Sequence, residues 1–244
     1  HAALESCRRL VGRVSRLVLV TCAAAARRLT AEAPQAYRLM RNAIADATPT
    51  DSGTLAWSLI VLADLAESEG AIAVAREALE QALELVPEDI RPRIAYADFL
   101  LRQDDPEGVL EIISSDTASS TLLLRRALAA KALALAELDG IRARLHADFA
   151  TAALRGDSLH EREESLANLA LFDRPDVALK LATRNWERQR EFMDTYLVLA
   201  AAQANGQPHA ARQTLAWLRA QGTVDQRLIA LTTGLGDGGG DHEF

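Results

Sequence analysis

Turn-forming residues punctuate this sequence at intervals that leave room for helices joined by short hairpins and for little else. Pro34, residues 49–53, Gly70, Pro87, residues 104–108, Asp139-Gly140, Gly156-Asp157, residues 173–175, residues 206–208 and Gly222 separate stretches of roughly 12 to 18 residues, the ordinary length of a globular helix. Within them apolar residues recur at three- and four-residue steps, the α-helical period. Strict two-residue alternation, which marks strands, is missing, and β-branched clusters are few. The spacing predicts helices over 3–12, 14–29, 33–47, 54–69, 71–86, 91–103, 106–114, 120–138, 141–155, 158–172, 174–189, 191–205, 208–221 and 224–233. Composition agrees, since 47 Ala and 38 Leu make up about a third of the 244 residues and both are strong helix formers. The expected class is all-α. Collagen, a disulfide scaffold and a disordered chain are excluded.

Short turns between amphipathic helices force antiparallel neighbours. The helices fall in pairs repeating at about 34 residues, the mark of an α-solenoid of antiparallel helix pairs. The clearest unit is residues 56–89. Leu59, Leu62, Ala63 and Ala66 lie on its first helix, Gly70 turns the chain, Ala75, Leu79 and Ala82 lie on the second, and Pro87 closes it. Small residues at 63 and 75 suit a close helix crossing. Weaker copies carry Ile94, Ala97, Leu100, Val109 and Ile113; then Leu166, Leu169, Ala178, Ala182 and Trp186; then Ala200, Gly206, Ala211, Leu215 and Leu218. Ala25, Ala36, Met40 and Pro49 form a degenerate copy upstream.

On these residues the chain resembles a bacterial tetratricopeptide-repeat protein over roughly residues 1–235, with Ala66 where the repeat usually has an aromatic residue. Similar segments include AYADFLLRQDDPEGVLEII and NWERQREFMDTYLVLAAAQANGQPHAARQTLAWL. The resemblance implies a right-handed superhelix with a concave groove, and a non-catalytic scaffold that binds a peptide or partner protein there. It implies one repeat domain over residues 1–233, read as the C-terminal part of a longer array because residues 1–12 look like the second helix of a repeat. Residues 234–244 are expected to be a disordered tail. The first helices of such repeats usually line the groove, which makes Trp57, Ile60, Asp64, Arg91, Ile94 and Asp98 the expected partner-binding residues. Arg125, Arg126 and Arg162 join them, because Arg suits bidentate recognition of carboxylates.

Charge narrows the partner. The net charge is −7, and residues 51–120 hold four Arg against fifteen acids. That surface favours a basic or mixed peptide and argues against nucleic acid. Asp64 and Asp98 argue against a carboxylate clamp for acidic tails. Self-association is a further expectation for a face left uncovered. The apolar run 17–26 follows Arg8, Arg9, Arg13 and Arg16, but ten residues are too few to span a bilayer, and it reads as a buried Ala-rich helix. The compartment stays open between the cytoplasm and periplasm of a bacterium.

Catalytic constellations are missing. His160 and Glu164 share a helical face, yet the zinc-protease spacing needs a second His, so the HEREE run reads as a charged helix start. No nucleophile elbow or phosphate loop is present. No catalytic residue, metal ligand or cofactor is therefore assigned. Cys7 and Cys22 are read as small helix-packing residues, with a disulfide across a helical hairpin left open. The alternative function is a small-molecule-binding or enzymatic pocket lined by Arg125, Arg126, Arg162 and Trp186. Against it stands a simpler arrangement, in which Trp186 packs between helices and the arginines pair with Glu163, Glu187 or Asp194.

Overall fold

In the computed structural model, residues 2–47, 51–156 and 160–236 are described. Among them are fourteen α-helices, a single-turn 3-10 helix at Pro208–Ala211 and no strand. The helices are α1 (Ala2–Arg8), α2 (Arg16–Arg27), α3 (Ala33–Ala45), α4 (Ser52–Ser68), α5 (Ile72–Leu85), α6 (Ile90–Arg102), α7 (Pro106–Ile112), α8 (Ser120–Ala132), α9 (Leu138–Leu154), α10 (Glu161–Ala170), α11 (Pro175–Arg188), α12 (Phe192–Ala204), α13 (Arg212–Gln221) and α14 (Gln226–Gly236). The chain is all-α. None of the helices is long and apolar enough to cross a membrane.

Local chemistry sets the helix starts. The side chain of Asp51 accepts from Thr54 N at 2.8 Å, that of Asp105 from Gly108 N at 3.1 Å and that of Ser119 from Leu122 N at 3.4 Å. Each satisfies one backbone donor that a helix start leaves free, worth about 1 kcal/mol apiece. Pro106 and Pro175 occupy first-turn positions, where the missing N–H costs nothing. Glu191 and Asp194 close a reciprocal capping box on α12.

The helix ends share one device. Gly70, Asp104, Ala134, Asp173 and Gly206 all take positive φ. After four of them the next amide reaches back five residues: Ala71 to Ala66 (2.8 Å), Asp105 to Leu100 (2.9 Å), Leu135 to Ala130 (2.9 Å) and Gln207 to Ala202 (2.9 Å). This Schellman closure satisfies a terminal carbonyl and reverses the chain. Ala63, Ala97 and Ala127, seven residues before the first three turns, are buried, as are Ala75, Val109, Ala178 and Ala211, five residues after four of them.

Ala134 also accounts for the largest departure from the predicted boundaries. The predicted 120–138 helix stops at Ala132, because the chain turns at an alanine with φ 53°. L-residues other than Gly, Asn and Asp seldom adopt that conformation. At the other end, α14 includes Gly234–Gly236 of the expected tail. Gly234 serves close packing there, since a Cβ would lie 3.1 Å from Gln203 Nε2. Residues 237–244, the rest of that tail, lie outside the described residues.

The chain divides into two compact units, one of His1–Tyr96 with Leu218–Arg227 and one of Ala97–Trp217 with Leu228–Phe244. In the first, α4 is buried on most sides, from Ala56 to Ser68, as an apolar helix surrounded by others must be. Met40 of α3, Leu65 of α4 and Ala82 of α5 are inaccessible. Thr21 of α2 and Ser58 of α4 share a buried hydroxyl–hydroxyl hydrogen bond of 2.8 Å. In the second, Leu123, Leu124, Leu145, Leu166, Trp186, Leu197 and Val198 form one cluster. Burying each of these large side chains is worth about 1.5–3 kcal/mol.

Candidate functional site

The charged residues expected to meet a partner meet one another within their own units. In the first unit, Asp64 of α4 accepts from Arg28 Nη1 at 3.2 Å and Arg227 Nη2 at 3.0 Å. Arg227 also donates to Glu67 at 2.8 Å and to Asp225 Oδ1 at 2.9 Å. Burial by itself would lower the Arg227 pKa. Hydrogen bonding to Asp225 and the charges of Asp64, Asp225 and Glu67 outweigh it and raise the value. Trp57, Ile60 and Ile94 are half-buried. Arg91 is exposed and binds Asp89, with Nε 2.9 Å from Oδ2.

In the second unit, Arg125 is 2% exposed and grips Asp98 bidentately, at 2.8 Å from Nε and 3.0 Å from Nη2. Its Nη1 donates to Thr121 O at 3.2 Å and lies 3.7 Å from Glu163. Arg126 donates to Ile113 O at 2.7 Å and to Glu137 at 3.1 Å. Arg162 clamps Asp194 at 2.5 and 2.8 Å and reaches Glu191 at 3.0 Å. Asp194 is fully buried and also accepts from Asn185 Nδ2 at 2.6 Å and Glu191 N at 2.9 Å. For Arg125 and Arg162 alike, burial would lower the pKa and the facing carboxylates raise it. Their fork geometry is used up on this chain's own carboxylates.

Trp186 is buried edge-on against Trp217, with ring centroids 5.7 Å apart. The Arg190 guanidinium lies 4.2 Å from the Trp186 ring centre. The Arg and Trp side chains considered for a small-molecule pocket thus have structural neighbours. Glu161 of the HEREE run pairs with Arg184 at 3.1 Å and with Arg188. Among the described residues, no group of three or more His, Cys, Asp or Glu side chains could hold a metal ion. Cys7 and Cys22 are joined in a disulfide.

The second unit presents one pocket of about 570 Å³ lined, among the described residues, by α11 alone, from Val177 to Arg184, and another of about 340 Å³ walled by several helices. Four helices contribute: Asp98, Leu101 and Arg102 from α6, Leu128 from α8, Leu166 and Ala170 from α10, and Phe192, Met193 and Tyr196 from α12. Each is the first helix of a hairpin closed by one of the left-handed turns. Phe192 and Tyr196, four residues apart on one helical face, stack at 6.1 Å. The Arg102 guanidinium lies 5.4 Å from the Phe192 ring centre. The lining is apolar with polar atoms at Asp98, Arg102 and Tyr196, the usual character of a binding pocket. Of the expected binding residues, Asp98 alone lines it. Leu101, Arg102, Leu128, Ala170, Phe192 and Met193 are residues that sequence reasoning missed. Leu101 and Arg102 sit on α6, already taken as a groove helix; the same rule carried to α8, α10 and α12 points to the helices that supply the others.

Comparison of the chain with family models, with curated proteins and with solved structures finds no match.

Proposed function

We propose that this chain is a non-catalytic interaction module built of degenerate tetratricopeptide-type repeats, and that it holds a peptide segment of a partner protein against the first helices of its hairpins. The repeat reading is supported by the left-handed turns at 70, 104, 134, 173 and 206, 30 to 39 residues apart and close to the period of that family; Gly12, Gly156 and Gly222 also take positive φ and fall outside that spacing. Buried small residues at matching offsets from those turns support it further.

The observation that carries the binding reading is the pocket lined by α6, α8, α10 and α12. Its size and apolar walls suit one large aliphatic or aromatic anchor of a peptide, the kind of contact that dominates interface energy. A partner chosen mainly by positive charge is less well supported, because Asp64 and Asp98 already face Arg227, Arg28 and Arg125.

The test is selection of a displayed peptide library on the immobilised chain, run in parallel on a Leu128→Arg variant. Peptides sharing a single apolar anchor, enriched on the parent and lost on the variant, are the expected result. Equal enrichment on both would refute the pocket as the site.

A further inference from the structure

Two polar residues on the wall of the second unit's pocket keep unused bonding capacity. Asp98 accepts one hydrogen bond at each oxygen, from Arg125 Nε and Nη2, whereas a carboxylate offers about four acceptor positions. Its side chain keeps 16% of its surface open, and it lines the pocket. Tyr196 lines the same pocket and is half-buried, and its hydroxyl makes no hydrogen bond among the described residues. Asp194, two positions before it, is the contrast. That carboxylate is fully buried and accepts from Arg162, Asn185 and the Glu191 amide.

The remaining lining suits a ring. Phe192 and Tyr196 lie with their planes 28° apart on one face of α12. Met193 adds a thioether, which packs well against aromatic rings. At about 340 Å³ the pocket lies near the small end of the ~300–1,000 Å³ range of ligand sites and has room for one side chain rather than several. A cationic side chain is disfavoured there. Arg125 already balances Asp98, and the Arg102 guanidinium over Phe192 is a second positive charge.

We propose, resting on the binding reading of this pocket given above, that its anchor is a tyrosine of the partner peptide. The phenol O–H donates to Asp98, and the phenol oxygen accepts from the Tyr196 hydroxyl. One side-chain tip thus supplies both missing partners while the ring packs against Phe192, Tyr196 and Met193. Phenylalanine fills the same apolar space but shuts Asp98 and Tyr196 off from water without a partner, which a site of this kind penalises. Tryptophan donates but cannot accept, and leucine does neither.

The test titrates the full 244-residue chain with the N-acetyl amides of tyrosine, tryptophan, phenylalanine and leucine, following the NMR methyl signal of Met193. The tyrosine amide is expected to bind at least about tenfold tighter than the phenylalanine amide. Tyr196→Phe keeps the ring and removes a hydroxyl that no other described residue uses, so melting should be undisturbed. In that variant the preference should shrink at least about threefold, with the Kd of the phenylalanine amide unchanged. Leu128→Arg should abolish binding of all four. Equal affinity for the tyrosine and phenylalanine amides, or a preference of unchanged size in Tyr196→Phe, would overturn the inference and leave the pocket a site for an apolar anchor. If none of the four binds, or if binding survives Leu128→Arg, the binding reading itself falls and the tyrosine anchor with it.

Discussion

Arg125 and Asp98, one on α8 and the other on α6, bind each other in a two-point fork at a place where each was expected to face a partner. Arg125 is buried, with Glu163 as a second carboxylate 3.7 Å away. Removing one member of such a pair leaves an uncompensated charge inside the fold and costs about 3–5 kcal/mol. Arg125→Ala is therefore predicted to lower unfolding free energy in urea by about that amount. Asp98→Lys, a natural probe for a basic partner, should also register as a loss of stability, since it sets a cation against Arg125. A midpoint within error of the parent's for both variants would show that the pair contributes nothing.

Arg227 plays the corresponding part in the first unit, reaching Asp64 across 163 positions of sequence. A double-mutant cycle of Arg227→Ala and Asp64→Ala should give a coupling energy of about 0.5–3 kcal/mol, the range for contacting residues in one network. Additive losses would contradict the shared ion pair.

Tyr96 supplies a pH prediction. Burial, followed by the hydrogen bond it donates to Glu80 at 2.6 Å and the charge of that carboxylate, pushes its pKa up to about 12. The folded state thus holds the neutral phenol more tightly than the unfolded state does. That contribution is complete below the ordinary tyrosine value near 10 and is lost as pH rises through about 12. Ultraviolet titration should show a tyrosinate step near pH 12 that disappears in Tyr96→Phe. A step of unchanged size in that variant would mean that Tyr96 titrates elsewhere.

Ala63 of α4 is buried. Ala63→Leu is predicted to overpack its surroundings and cost about 1–3 kcal/mol. A chain that melts at its original temperature with leucine there would mean that the site has space to spare.

The disulfide adds a quantitative check. Its cysteines are 15 residues apart, and loop-closure entropy for such a loop predicts about 3 kcal/mol if both ends stay ordered after reduction. Reduction is therefore predicted to lower the unfolding free energy by about that amount, read from urea denaturation with and without dithiothreitol. An unchanged midpoint would contradict it.

The helices were legible because their signals are local. Pro106, Pro175, Gly70 and Gly206 act within a turn of themselves, and apolar periodicity needs only neighbours. Ala134 shows the limit, since nothing in its side chain announces a left-handed residue and the chain turns there because tertiary packing selects it. The ion pairs were partly legible. The expected arrangement, with Trp186 packed between helices and arginines paired to Glu163 or Asp194, is found in the Arg162–Asp194 and Arg125–Glu163 pairs. The partners Asp98 of Arg125 and Asp64 of Arg227, 27 and 163 positions away, were missed because a charge count treats them as free surface. The pocket was half legible. Asp98 was found from its place on a first helix; Phe192 and Met193 share such a place, but which faces of α6, α8, α10 and α12 converge on one pocket is set by packing.

The pocket beside Phe192 and Tyr196 is proposed to hold an apolar peptide anchor. The direct test is the Kd of a library-selected peptide, by fluorescence anisotropy, for the parent chain and for Met193→Arg, with thermal melting run alongside. Loss of a buried anchor of this kind costs about 2 kcal/mol or more, so the Kd is expected to weaken at least about tenfold while melting shows the chain still folded. An unchanged Kd for a stably folded Met193→Arg chain would contradict it.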